Sequence, residues 1–232
     1  INLIKISKDL HIPKESVRRK VINLEKNGII KKKGKKITID RSAYKSTQPI
    51  DTLRNISALL SVFSKILKKE KVIKNDMDSN EISNLIKNNF SFCWYQFYKF
   101  LFPYCLRWKT YFGDLELFTI LQTIISNSNS RINKKIKDVD SYLENWRDNL
   151  VNQKIKGINA MSISEITNIP RPTVVRKIKK LTKNKFISLD KQKLINIDVN
   201  KENFNSMSMI QDENIKSVNI FIKRTFNQIN LN

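Results

Sequence analysis

A chain of 232 residues with 40% apolar side chains can bury the core of one large domain or two ordinary ones. Its 44 Lys and Arg against 21 Asp and Glu leave a formal charge of +23, which implies a polyanionic partner, although 34 Lys, 34 Ile and 27 Asn also reflect an A- and T-rich coding sequence. Four glycines, one histidine and two cysteines exclude a glycine-rich phosphate loop, a two-histidine metal site and a Cys/His or Ser/His catalytic arrangement, so no catalysis, cofactor or metal is expected.

Taken in order, Leu3, Ile6 and Leu10 form the packing face of a first short helix, and His11 is a turn residue. The segment from Ile12 to Asn27 reads as a second helix with Val17, Val21 and Leu24 as its core triplet and Arg19 opposite them. Ile29-Ile30 and Ile37-Thr38-Ile39-Asp40 flank Gly34, which sits among Lys31, Lys32, Lys33, Lys35 and Lys36. Two short alternating runs about a polar turn predict a β-hairpin. The chain opens on Ile1 rather than Met, and a support helix would be needed before Ile4, so the first unit is expected to be N-terminally incomplete. Leu53, Ile56, Leu60, Phe63 and Leu67 recur at helical spacing over 51–69, Lys71 to Asn80 suits an exposed linker, and 81–89 reads as a short helix.

Residues 90–118 hold 13 of the 21 aromatic side chains. A membrane helix is excluded by Gln96, Lys99, Pro103 and Arg107 within the run. Two readings stay open: a packing core or self-association surface, and a pocket for an aromatic or lipid-like effector. Cys93 and Cys105 lie in this segment without neighbouring metal ligands and are expected as reduced, buried thiols. Leu115 to Ser126 predicts an apolar helix, Asn127 to Asp140 an exposed loop, and Tyr142, Leu143, Trp146 and Leu150 one more short helix.

Ser162 to Thr167 is a short helix with Ile163 and Ile166 on one face, joined by Asn168-Ile169 to Arg171–Leu181. At about 100° per residue, Val174, Ile178 and Leu181 lie within roughly 60° of one another, with Arg176 and Lys183 about 180° away. Pro170 and Pro172 fit only at or before the first helical turn. Phe186 to Leu189 and Lys193 to Asp198, about the turn Asp190-Lys191-Gln192, predict a second hairpin. A helix over 212–229 follows, with Ile215, Val218, Ile222 and Phe226 as its apolar face.

The stretch from Ile12 thus repeats from Ile169, and the charge is concentrated there: residues 1–41 carry 10 Lys and 3 Arg against 4 acids, and residues 151–201 carry 10 Lys and 2 Arg against 3. Ile169-Pro170-Arg171-Pro172-Thr173-Val174-Val175-Arg176, followed by Leu181 and a basic hairpin, resembles the bacterial winged helix-turn-helix transcription regulators of the MarR and IclR kind. The resemblance covers roughly 40 residues in each copy. MarR-like chains carry one such unit, so that family's oligomeric state and effector site are not carried over.

What the resemblance and the pattern imply together is a mainly α protein with two small β-hairpin wings. Its tandem winged helix-turn-helix units would be joined through a helical, aromatic-rich centre: 1–75, 81–112 and 113–232. The expected partner is double-stranded DNA, in the cytoplasm with the nucleoid. Arg19 and Arg176 are the candidates for base edges. Lys14, Ser16, Arg18, Arg171, Thr173 and Lys177 are candidates for phosphates, as are wing lysines Lys31, Lys32, Lys33, Lys35, Lys36, Lys191 and Lys193. Two other functions remain open: a plasmid- or phage-type replication initiator, and a paired winged-helix module that binds protein.

Overall fold

The computed structural model describes residues 2–34, 36–39, 49–132 and 157–229. Over them the chain is mainly helical with two small antiparallel hairpins. It divides into two compact units, Ile1–Cys93 with Phe226–Asn232, and Trp94–Thr225.

In the first unit, α1 (Leu3–Leu10) begins where the Asn2 side chain accepts from the Lys5 amide, and it ends at His11 in the left-handed region, φ 49°. This is a side-chain N-cap followed by an αL stop. The second helix, α2 (Lys14–Lys26), starts directly after Pro13. Gly28, at φ 70°, turns the chain into β1 (Ile30–Lys33), which pairs with β2 (Lys36–Ile39) from Ile30↔Ile39 to Lys33↔Lys36. Val17, Val21 and Ile30 are buried, with Leu3, Ile6, Ile12 and Ile37 packed on them. Leu24, expected as the third core residue, is 38% exposed; among the described residues no helix besides α1 and α2 joins that cluster.

After Pro49, α3 (Ile50–Lys69) buries Leu53, Ile56 and Leu60, while Phe63 and Leu67 are half-buried. The segment expected as a free linker is tied down at its end: Ser61 Oγ and Ser64 Oγ donate to the Met77 carbonyl at 2.9 and 3.1 Å, and the Met77 amide donates to Ser64 Oγ at 3.0 Å. Asp78 and Glu81 form a capping box, which starts α4 (Ser79–Asn88) two residues ahead of the expected Glu81.

The second unit is built on the aromatic helix α5 (Phe90–Phe112) from Trp94 onward, with α6 (Leu115–Ile132), α7 (Ala160–Thr167), α8 (Arg171–Lys183), β3 (Ile187–Leu189), β4 (Ile195–Ile197) and α9 (Lys201–Ile229) as far as Thr225. Its core joins Trp108, Phe112, Leu117, Phe118, Leu121 and Ile124 to Ile163, Val174, Ile178, Leu181 and Phe186. Trp108 stacks on Phe118 at 4.7 Å and on Phe112 at 5.9 Å, and Phe112 meets Phe186 at 5.4 Å. The aromatic side chains of 104–118 are therefore packing for this unit, whereas Tyr95 and Phe102 remain exposed.

Three expectations are corrected here. Residues 127–132, read as the start of a loop, continue α6, with Ser128 buried and its Oγ donating to the Ile124 carbonyl one turn back. The rest of that loop and the helix of Tyr142, Leu143, Trp146 and Leu150 lie outside the described residues. The last helix starts at Lys201, not 212, with Phe204, Met207 and Ile210 on the core. Finally, Ile215 is exposed, because the inward place on that turn belongs to Asn214, which is buried and accepts from Arg107 Nε at 2.9 Å while Arg107 Nη2 donates to Ser217 Oγ.

Gly157 leads into an isolated antiparallel bridge: Ile158 pairs with Ile195 through hydrogen bonds of 3.1 and 2.9 Å. A Cβ at Gly157 would lie 2.5 Å from the Ile195 carbonyl oxygen, so the approach requires glycine. Both cysteines are free thiols, Cys93 buried and Cys105 half-buried. Among the described residues no helix is long and apolar enough to cross a membrane.

Candidate nucleic-acid interface

The strongest feature for function is a repetition in three dimensions. Adding 157 to a residue number in α1 or α2 gives its counterpart in α7 or α8. Asn2 and Asn159 both cap their helices, accepting from Lys5 and Ser162 amides at 2.8 Å each. Ser7 Oγ donates to the Ile12 carbonyl and Ser164 Oγ to the Ile169 carbonyl, each at 2.7 Å. His11 and Asn168 stop the short helices in the left-handed region at φ 49° and 54°. Pro13 and Pro170 enter the next helix at ψ 135° and 132°. Gly28 and Lys185, at φ 70° and 58°, then turn the chain into its hairpin. The same hydrogen bonds specify the same turn twice, so each second helix is held in one orientation on its first.

These turns bury one side of α2 and α8 and leave the other to solvent. Arg19 and Arg176, expected to reach outward, occupy equivalent exposed positions. Lys14 and Arg171 are exposed at the first residues of the two helices, and Ser16 and Thr173 are half-buried in the first turns. The exposed hairpin residues include Lys31, Lys32, Lys33 and Lys36 in the first unit and Lys191 and Lys193 in the second, while Lys35 lies outside the described residues. The second hairpin's tip is held by Asp190, whose carboxylate accepts from the Gln192 and Leu194 amides, and this projects the two lysines.

Two expected phosphate contacts are placed differently. Lys177 faces inward: its side chain is 12% exposed, and Nζ donates to Asp114 at 2.6 Å and lies 3.3 Å from Glu116. Asp114 also caps α6 by accepting from the Leu117 amide at 2.8 Å. Burial of this carboxyl works to raise its pKa, but the Lys177 hydrogen bond, the Leu117 amide and the charges of Lys177 and Lys180 outweigh it and hold the pKa below the usual value. Lys177 is thus a clasp between α8 and α6. Arg18 is exposed but engaged, its Nε and Nη2 gripping the Glu15 carboxylate at 2.7 to 3.1 Å. That hydrogen bond is the main cause of a lowered Glu15 pKa.

Exposed Lys179, Lys180 and Lys183 on α8 were not among the expected contacts, although three, four and seven residues beyond Arg176 is the spacing of one helix face. The capping asparagines and the two serines that buttress the turns were missed as well; the identities Asn2/Asn159 and Ser7/Ser164 were visible in the aligned repeats. Comparison of the chain with protein-family models, with curated proteins and with solved structures finds no match, so the internal repeat is the informative comparison.

Proposed function

We propose that the protein is a sequence-specific DNA-binding regulator of transcription whose two repeats act as winged helix-turn-helix heads, with α2 and α8 as recognition helices and the hairpins as wings. The supporting observation is the twice-built turn, which holds an exposed basic helix carrying arginine at the same position, 19 and 176, followed by a lysine-bearing hairpin. A recognition helix sits in the major groove with its first turns against base edges, where an arginine can donate two hydrogen bonds to guanine. Lysines of the wings and the helix flanks neutralise phosphates. Duplex DNA is then the partner, and the nucleoid the place of action.

The test is titration of random-sequence and selected duplexes at several salt concentrations. Log affinity falls linearly with log salt, with a slope near −0.9 per phosphate neutralised, and Arg19→Ala and Arg176→Ala each relax the selected sequence at different positions. A slope near zero refutes the reading. Genome-wide binding of the tagged protein gives promoter peaks for a regulator and a single origin-linked peak for an initiator.

A further inference from the structure

The two exposed faces differ at a pair of equivalent positions one helical turn apart. On α2 these are Glu15 and Arg18, joined by three hydrogen bonds. On α8 they are Pro172 and Val175, both exposed. Residues three apart on a helix face the same way, so each head presents a matched pair beside its arginine: charged in one, apolar in the other.

A carboxylate is out of place on a surface that only grips phosphates, since it is repelled by them and cancels the charge of the arginine it holds. The geometry of the pair gives it a different use. Glu15 takes Nε and one hydrogen of Nη2, the side of the guanidinium; Nη1 and the second Nη2 hydrogen are left as a fork at its tip. That fork matches guanine O6 and N7, and a guanidinium already held by a carboxylate loses less rotamer freedom on donating to a base. Pro172 and Val175 offer no donor, but their methyl and methylene groups suit the 5-methyl of thymine.

Resting on the DNA-binding reading above, we propose that the heads have opposite base preferences at one equivalent position: guanine under Arg18, with Glu15 as its positioning residue, and thymine under Val175. Arg18 then belongs with base readout rather than with the phosphates.

The experiment is selection of random duplexes by the full chain and by Arg18→Val, Val175→Arg and Glu15→Gln, with affinities of the selected sites measured across salt. Wild type enriches a site whose halves differ at that position, one guanine and one thymine. Arg18→Val lowers the guanine preference about tenfold with an unchanged salt slope, and Val175→Arg replaces thymine by guanine in the other half. Glu15→Gln weakens the guanine preference while raising affinity for unrelated duplexes, and Glu15→Asp, which keeps the carboxylate, restores it. The three substituted side chains are exposed, so melting temperatures stay at the wild-type value. A wild type that binds no duplex refutes the DNA-binding reading itself. A wild-type site that survives both Arg18→Val and Val175→Arg unchanged overturns this inference alone, as does an Arg18→Val variant that loses one unit of salt slope and no base preference.

Discussion

Replacing Lys177 by methionine separates a structural lysine from the exposed lysines proposed to meet DNA on the same basic helix. The Lys177 side chain is 12% exposed, and those of its partners Asp114 and Glu116 are 35% and 53% exposed, so the clasp lies between two regimes. Breaking a fully buried pair costs about 3–5 kcal/mol, while an exposed pair is worth about 0–1 kcal/mol. Methionine keeps most of the stem volume, which leaves the electrostatic loss, about 1–3 kcal/mol. In a chain of this size that lowers the melting temperature by roughly 2–12 °C.

The pH dependence has a definite sign. Asp114 has its folded pKa below the usual aspartate value, so it contributes stability that is fully present above that value and is lost as pH falls through the folded pKa. Lys177→Met flattens this acid limb, with stability near pH 7 already reduced. Denaturant titrations between pH 2.5 and 7 measure both effects. Salt titration of duplex binding supplies the control: Lys177→Met leaves the slope unchanged, whereas Lys183→Met reduces it by about 1. Unchanged stability with a reduced slope would refute the clasp and return Lys177 to the phosphates.

The two copies also predict unequal responses to the same substitution. Leu181→Ala, at a fully buried site, costs about 2–5 kcal/mol, and Leu24→Ala changes stability by less than about 0.5 kcal/mol, both read from urea denaturation. Gly157→Ala drives a Cβ to 2.5 Å from the Ile195 carbonyl oxygen; it costs about 1–3 kcal/mol, and hydrogen exchange of the Ile158 and Ile195 amides speeds up. Burial pushes the Cys93 thiol up to about 11, so at pH 8 iodoacetamide modifies the native Cys93 far more slowly than the urea-unfolded chain. Equal rates would contradict its burial.

Much of the local architecture was legible in the residues. The 3.6-residue periodicity of Val174, Ile178 and Leu181, the two prolines ahead of α8 and the hairpin patterns all correspond to observed elements. Pattern reading failed where a polar stretch is held by contacts that no local window contains. Asn127 to Asn129 look like a loop by composition, yet they extend α6, whose upstream turns are locked in the core. Lys177 is the instructive case at the site. Three residues from Val174, it lies about 60° from the core direction, which placed it at the edge of the packed face, but its partner Asp114 is 63 residues away. A helical wheel reports the direction of a charge and says nothing about what waits there.

The same distinction explains why two nearly matching segments end in different surroundings. Leu24 and Leu181 have the same position in the repeat, and so do Ile29 and Phe186. Leu181 and Phe186 are buried beneath α6 and the aromatic cluster of Trp108, Phe112 and Phe118, whereas Leu24 and Ile29 are exposed. A repeated motif therefore specifies its turn and its outward face, through caps and hydrogen bonds internal to about 30 residues, while the cover over its back comes from elsewhere in the chain. In the second unit that cover is α6 and the end of α5, where Tyr104, Trp108, Tyr111, Phe112 and Phe118 join the core. Aromatic side chains supply large buried area per residue, and here they complete a core to which the two short helices and the hairpin contribute Ile163, Val174, Ile178, Leu181, Ile187, Ile195 and Ile197.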